Sequence, residues 1–403
     1  MSDLYRSAIH ARLQKLPPMP PPEELEDGDE EEEEADTLGS LPSMSPPPLP
    51  KSGPGSASTK TSHLDVYKPI SASDYFDQAL EINVPSPQLN FRVYYTPPKA
   101  KDGTIVVCHH GAGYSALSFA CFSKEVTRLS NGECGIFAFD ARRHGVQAQL
   151  FGHSTFSMHH IAFTGKTVPT PECRTPDVDA NLDILTLVND CMSLLTTVFP
   201  DPAVSPSLLL VGHSLGGSVC VRTVPLLLER KYRVTGVTVL DVVEEFTLDA
   251  LPHMHALLHT RPTGFGSVEE GIEWHVKTNA IRNLTSARIS IPAILVPSTS
   301  GNPPWRWRTP LEGTAPYWIN WFTSLSSLFL SCKTARLLVL AGTERLDREL
   351  MIGQMQGKFQ LEVISGVGHM LHEDNPTRLA EILVEFWRRN ERVIVGVKKV
   401  GET

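Results

Sequence analysis

The stretch VGHSLGG, residues 211–217, places a serine between glycines directly after the apolar run SLLL. Gly212 to Gly216 fit the pattern G-x-S-x-G, in which a strand turns sharply into a helix and lifts the serine hydroxyl out of the turn. The first N–H groups of such a helix lack partners within it and face developing negative charge. The pattern predicts Ser214 as a nucleophile and the N–H of Leu215 as an oxyanion donor. A small residue in a tight turn is the alternative, because five residues alone are a moderate signal.

A glycine-rich loop, His110 to Gly113, follows the β-branched run TIVVC. Acyl transfer needs a second N–H donor at the oxyanion, and the loop after an earlier strand supplies it in this arrangement. We therefore expect the backbone N–H of Ala112 to act together with that of Leu215. The alternative is a glycine turn that only lets the chain leave the sheet, and the serine motif favours the oxyanion role.

A base must accept the serine proton, because a hydroxyl is a weak nucleophile near neutral pH. In the chain order typical of this motif, the histidine comes after the acid and follows the last strand. The segment VISGVGHMLHED meets this requirement and predicts His369 as the base. We expect His372 to begin the next helix and to interact with Glu373 or solvent. His213, beside the serine, is not expected to be the base.

The acid that orients the imidazole has two main candidates. Asp241 ends the strand VTVLD after the nucleophile's helix, and Asp347 follows the next strand in AGTERLD. The second place is the commoner one for this motif, and spacing alone leaves the choice open. Glu244 is a remote third, and Asp140 lies too early in the chain order. With Arg142, Asp140 is instead expected to hold its own loop by hydrogen bonds.

Strand-like runs alternate with helical patterns from about residue 67 onward, including helical spacing over residues 177–198. Such alternation predicts an α/β fold with a mostly parallel central sheet and helices on both faces, with functional loops at the carboxyl ends of the strands. Residues 245–331 interrupt the pattern and predict a helical cap over the site. Tryptophans in this cap either line a peptide groove or simply pack it, and the sequence leaves both open: Trp274, Trp305, Trp307, Trp318 and Trp321.

Residues 23–36, EELEDGDEEEEEAD, hold eleven acids in a 403-residue chain of formal charge −9, so the remainder is close to neutral. Proline-rich runs flank this segment, and the apolar content is too low for a core. We therefore predict a disordered acidic and proline-rich tail over residues 1–64, a folded domain over residues 65–395 and a flexible C-terminus over residues 396–403. The tail either solubilises the chain or docks to a basic partner or to a proline-reading domain.

The seven cysteines are odd in number and scattered, with no C-x-x-C pair, which favours a reducing compartment, cytoplasm or nucleus. The longest apolar runs are far shorter than the roughly 20 residues of a membrane-spanning helix, and no secretory signal is evident. We expect no membrane or nucleic-acid partner, no metal and no organic cofactor, and a monomer when the chain is alone.

Beyond these loops the chain closely resembles the protein phosphatase methylesterase family, which has the α/β-hydrolase fold. The resemblance runs through about residues 66–390, and segments such as EWHVKTNAIRNLTSARIS and GQMQGKFQ have no generic role in hydrolases. The other matching stretches are HHGAGYSALSF, VGHSLGG, LDVVEEFTLDALPHM, WINWFTSLSSLFLSC, LLVLAGTERLD and GHMLHED. The resemblance implies a serine carboxylesterase that demethylates the C-terminal leucine methyl ester of the phosphatase 2A catalytic subunit, its substrate and partner. The family's acid lies in its DVVE segment, so the resemblance favours Asp241 over Asp347.

Some positions depart from the family's usual pattern. Ala112 replaces the middle glycine of a His-Gly-Gly-Gly loop, and Leu215 replaces a methionine after the nucleophile. Both changes keep the backbone N–H, so the expected oxyanion hole is retained. Glu245 and Phe246 stand where a glycine is common, which leaves the shape of the pocket open.

Two other functions compete with this interpretation. A broad-specificity small-molecule esterase or lipase would share every catalytic loop. A non-catalytic phosphatase-binding regulator would use the serine only structurally, and the complete set of Ser214, Asp241 and His369 argues against it.

Overall fold

The computed structural model describes residues 63–85, 89–145, 181–299, 301–342 and 345–394. The predicted tail lies outside these residues except for its last two, which belong to a short 3-10 helix, His63–Tyr67. The predicted C-terminus, residues 396–403, also lies outside them.

The central sheet has eight strands in the described part of the chain, in the order β1-β2-β4-β3-β5-β6-β10-β11. The strands are β1 Gln78–Val84, β2 Leu89–Thr96, β3 Thr104–His109, β4 Cys134–Phe139, β5 Ser207–His213, β6 Val234–Leu240, β10 Ala335–Ala341 and β11 Gln360–Ile364. β2 pairs antiparallel with β1 and β4, and the remaining pairs are parallel. The prediction of a mostly parallel sheet is confirmed.

Helices cover both faces of this sheet. The helices outside the cap are α1 Ala120–Leu129, α2 Ile184–Val198, α3 Leu215–Glu229, α9 Arg348–Met355, α10 Leu371–Asp374 and α11 Pro376–Ile394. Alternate residues of a strand face opposite sides, so Ile105 and Val107 of β3 pack in the core with α2 and α3, whereas Val106 and Cys108 pack in the core with α1 and α11. Burial on both sides explains why these strands read as continuous apolar runs.

The predicted cap contains a small sheet as well as helices. Its elements are α4 Glu244–Thr260, β7 Gly264–Phe265, α5 Val268–Lys277, α6 Leu284–Ile294, β8 Leu295–Pro297, β9 Trp305–Trp307, α7 Trp318–Phe322 and α8 Leu325–Ser331. β9 pairs antiparallel with both β7 and β8. The expectation of a helical cap therefore needs this addition, because the alternation Trp305-Arg306-Trp307 and the run Leu295-Val296 suit short strands.

All five tryptophans of this segment pack against apolar neighbours. Trp318 and Trp321 are buried in the core beneath the sheet, and the indole Nε1 of Trp321 donates to the carbonyl of Leu182 at 2.7 Å. The other three, Trp274, Trp305 and Trp307, pack around Phe265 and the cap's own apolar cluster.

No helix among the described residues combines the length and apolar character needed to cross a membrane.

Candidate active site

Ser214 lies in the turn between β5 and α3, with φ of 51° and ψ of −117°. A positive φ is unfavourable for a residue with a Cβ, and the bond from Ser214 N to the carbonyl of Leu240, 3.0 Å long, helps to hold it. A Cβ on Gly212 would lie 2.2 Å from Gly216 O, and one on Gly216 would lie 2.1 Å from His109 O. The turn therefore requires both glycines, and it leaves the serine partly exposed.

The glycine-rich loop after β3 lies directly against this turn. A Cβ on Gly111 would lie 2.7 Å from His213 Nδ1 and 3.4 Å from Ser214 Cβ. Ala112 follows this contact and is partly exposed, and Leu215 begins α3 with an N–H that has no acceptor within the helix. Gly111 and Ser214 therefore lie against each other, and each is followed directly in sequence by one of the two predicted oxyanion donors, Ala112 and Leu215.

His110 fixes the shape of this loop. Its Nδ1 donates to the carbonyl of Gly111 at 2.8 Å, and its Nε2 accepts from the N–H of Ala141 at 3.0 Å. Burial lowers the pKa of His110 well below its usual value, so the ring is neutral, as both bonds require. This geometry agrees with a shaping role and not with proton transfer.

Asp241 and His369 are in direct contact. Asp241 Oδ2 lies 2.8 Å from His369 Nδ1, and Asp241 Oδ1 accepts from the N–H of Ala341 at 2.9 Å. The main-chain N–H of Asp241 also bonds to the carbonyl of Val339, 2.8 Å away, so β10 fixes the carboxylate on two sides. With Nδ1 donating to the carboxylate, Nε2 of the imidazole is the nitrogen that can accept a proton.

The competing carboxylates have structural partners instead. Asp347 caps α9 by accepting from the N–H of Leu350 at 2.9 Å, and its other oxygen accepts from the hydroxyl of Ser326. Glu244 accepts from the N–H groups of Ser324 and Ser326 at 2.6 and 2.9 Å. Both carboxylates therefore stabilise the chain around α8 and α9.

Asp140 and Arg142 reach beyond their own loop. Asp140 Oδ1 accepts from the N–H of Ala116 at 2.7 Å, and Arg142 Nη2 donates to Asp190 Oδ1 on α2 at 2.6 Å. The expectation that Asp140 and Arg142 hold their own loop did not include these two contacts, because contacts with residues far along the chain cannot be inferred from local spacing.

His213 contributes a contact that the sequence analysis missed. Its Nε2 donates to the carbonyl of His369 at 2.8 Å, and its ring lies between those of His369 and His372, with centroids 4.6 and 4.5 Å away. Burial lowers the pKa of His213 well below its usual value. Its position at the end of β5, immediately before Ser214, was the available signal.

The expectation that His372 meets Glu373 or solvent is wrong. The His372 ring is fully buried and packs on Phe119 with centroids 4.5 Å apart. Burial lowers the pKa of His372 to about 3, so the ring is neutral and acts as part of the core.

Within the described ranges, no group of three or more histidine, cysteine or carboxylate side chains is arranged to hold a metal ion.

Comparisons with known proteins identify the family of the chain. A model of the alpha/beta hydrolase family matches residues 106–382. The structure is similar to that of E-2-(acetamidomethylene)succinate hydrolase, with a TM-score of 0.56 and 15% identity over 76% of this chain and 98% of that one. A peroxisomal alpha-beta-hydrolase of Saccharomyces cerevisiae gives a TM-score of 0.53 at 13% identity, over 78% and 85% of the two chains. Fold and site thus define an α/β hydrolase.

More specific matches come from fungal proteins named Protein phosphatase methylesterase 1. The protein of Cryptococcus neoformans strain JEC21 is 43% identical, over 100% of this chain and 96% of its own length. That of Emericella nidulans is 39% identical, over 97% and 90%. The chain belongs to the protein phosphatase methylesterase family, and it is a carboxylic ester hydrolase.

Proposed function

We propose that the chain removes the methyl ester from the C-terminal leucine of the phosphatase 2A catalytic subunit by serine catalysis. The observation that carries this proposal is the 2.8 Å contact of Asp241 Oδ2 with His369 Nδ1, beside the turn that presents Ser214. The names of the relatives, together with the family resemblance of the sequence, support the choice of substrate.

In the first half of the reaction, Ser214 Oγ attacks the ester carbonyl carbon and His369 Nε2 accepts its proton. Asp241 stabilises the imidazolium that forms. The N–H groups of Ala112 and Leu215 bind the oxyanion, whose charge develops only as the tetrahedral intermediate forms. The intermediate then expels the methoxy group, which takes the proton from His369 and departs as methanol.

In the second half, water attacks the acyl-enzyme and gives its proton to His369. Collapse of the second tetrahedral intermediate releases the leucine carboxylate, and the serine oxygen regains its proton. These steps use side chains and backbone N–H groups of the chain and no cofactor.

The proposal makes the phosphatase catalytic subunit both substrate and binding partner. We propose a monomeric enzyme in the cytoplasm or nucleus, where this partner would be met. The six described cysteines are free thiols, five of them buried, which suits a reducing compartment.

A comparison of substrates tests the proposal. The wild type is assayed on methylated phosphatase 2A, on its methylated C-terminal peptide and on a small acyl ester. We expect the highest kcat/KM on the methylated phosphatase. Faster turnover of small esters than of the phosphatase would favour a broad-specificity esterase. Phosphatase binding without methanol release from any substrate would favour a non-catalytic regulator.

A further inference from the structure

The backbone that carries His369 is held from both sides. On its C-terminal side, the carbonyl of His369 accepts from His213 Nε2 at 2.8 Å. On its N-terminal side, the N–H of Gly368 donates to Asp374 Oδ2 at 2.7 Å. Between these two bonds the imidazole meets Asp241, so three contacts determine where the ring lies.

Asp374 also joins this loop to the cap. Its second oxygen, Oδ1, accepts from the N–H of Arg282 at 2.7 Å, and the Nε of Arg282 lies 4.0 Å from Oδ2. Arg282 directly precedes Asn283, whose side chain caps α6. The Asp374 carboxylate is only 1% exposed, and both of its oxygens bind main-chain N–H groups.

Two further hydrogen bonds fasten α10 to α6. The hydroxyl of Ser286 donates to the carbonyl of Glu373 at 3.0 Å, and the hydroxyl of Ser290 donates to Glu373 Oε2 at 2.7 Å. Burial raises the pKa of Glu373 well above its usual value, which favours the protonated form. These bonds stabilise the contact between α10 and α6, but only Asp374 reaches the residue before the histidine.

We propose that Asp374 is a positioning residue that sets the orientation of His369 through the N–H of Gly368 and ties it to the cap through Arg282. The proposal rests on the proposed function, because it assigns His369 as the base. A base must lie within hydrogen-bond reach of the proton it accepts, and a misplacement of about 1 Å can lower the rate about 100-fold. Substitution of Asp374 is therefore expected to lower kcat and leave the fold intact.

The test uses Asp374→Asn in the full chain. Asparagine has the same shape, but it offers one acceptor to two N–H groups, so one bond is lost. We expect kcat on a small acyl ester to fall about 10- to 100-fold with KM nearly unchanged. Should this variant not fold, Asp374→Glu displaces the carboxylate by one methylene and serves the same comparison.

Two matched controls separate positioning from stability. Ser286→Ala removes another bond between the same two helices and is expected to lower the thermal midpoint without lowering kcat. Asp201 lies in an exposed turn before β5, and its carboxylate also accepts from a main-chain N–H, that of Ala203 at 2.9 Å. Asp201→Asn is therefore expected to leave both kcat and the thermal midpoint unchanged.

A spectroscopic readout reports on the base itself. The proton between His369 Nδ1 and Asp241 is expected to give a downfield NMR signal, which its loss in Asp241→Asn would assign. We expect this signal to shift or broaden in Asp374→Asn and to remain unchanged in both controls. An unchanged signal and kcat in Asp374→Asn, or an equal loss of kcat in Ser286→Ala, would overturn the positioning role. If Ser214→Ala hydrolysed the small acyl ester as fast as wild type, the proposed function itself would be refuted.

Discussion

The substitution Asp241→Asn separates the two acid candidates by their chemistry. Asp241 uses both oxygens, Oδ1 for the N–H of Ala341 and Oδ2 for His369 Nδ1. Asparagine has a single oxygen, so one of these N–H groups would face an amide NH₂. If the oxygen stays with Ala341, the NH₂ faces Nδ1 and the imidazole must carry its proton on Nε2. That tautomer cannot accept the proton of Ser214.

The alternative orientation of the asparagine opposes its NH₂ to the N–H of Ala341. It leaves a partly buried donor without a partner, which costs up to about 3 kcal/mol. The unproductive orientation is therefore favoured, and the negative charge that stabilises the imidazolium is lost in either case. In a Ser-His-Asp triad this change lowers kcat about 10⁴-fold, equivalent to about 5.4 kcal/mol of transition-state stabilisation.

Asp347→Asn is the matched control for this prediction. Asp347 caps α9 and binds Ser326, and asparagine caps a helix about as well as aspartate, so Asp347→Asn is expected to change the free energy of unfolding by under about 1 kcal/mol and to leave kcat unchanged. Initial rates on a small acyl ester measure kcat, and chemical denaturation measures stability. The reasoning is refuted if Asp347→Asn loses activity by orders of magnitude and Asp241→Asn does not.

Three further perturbations probe the oxyanion loop, the buried histidines and the core. Gly111→Ala places a methyl group 2.7 Å from His213 Nδ1 and should lower kcat about 100-fold, whereas Gly313→Ala, with open space around its Cβ, should not. The pKa of His372 is about 3 in the folded protein and about 6.5 in the unfolded chain, so its contribution to stability is present above pH 6.5 and is lost as the pH falls. The free energy of unfolding of His372→Phe minus that of wild type, measured in urea, should therefore be about 2 kcal/mol larger at pH 5 than at pH 7. Trp321→Ala should lower the free energy of unfolding by about 3–5 kcal/mol, and Ile319→Ala on the same helix, 64% exposed, by under about 0.5.

The local turns were predictable from sequence because their chemistry is contained in a few neighbouring residues. Gly212 and Gly216 are required by contacts within the turn and with the adjacent strand, so the pattern around Ser214 indicates the geometry directly. The position of His369 follows from strand order, since the carboxyl ends of parallel strands meet at one edge of the sheet.

The choice between Asp241 and Asp347 could not be made from spacing for the same reason. Both follow neighbouring parallel strands, β6 and β10, and so end near the same edge. Tertiary hydrogen bonds distinguish the two carboxylates. Ala341 and Val339 of β10 orient Asp241, whereas the hydroxyl of Ser326 in the cap donates to Asp347. The contacts of His213 with His369 depend likewise on side-chain direction across 156 residues of chain, which no local pattern encodes.

The measurement that tests the central claim most directly is mass spectrometry of the C-terminal peptide of methylated phosphatase 2A after incubation with wild type or Ser214→Ala. The account predicts that wild type converts the leucine methyl ester to the free carboxylate, and that Ser214→Ala leaves the ester intact while still binding the phosphatase. Conversion of the ester by Ser214→Ala at a rate near that of wild type would contradict it.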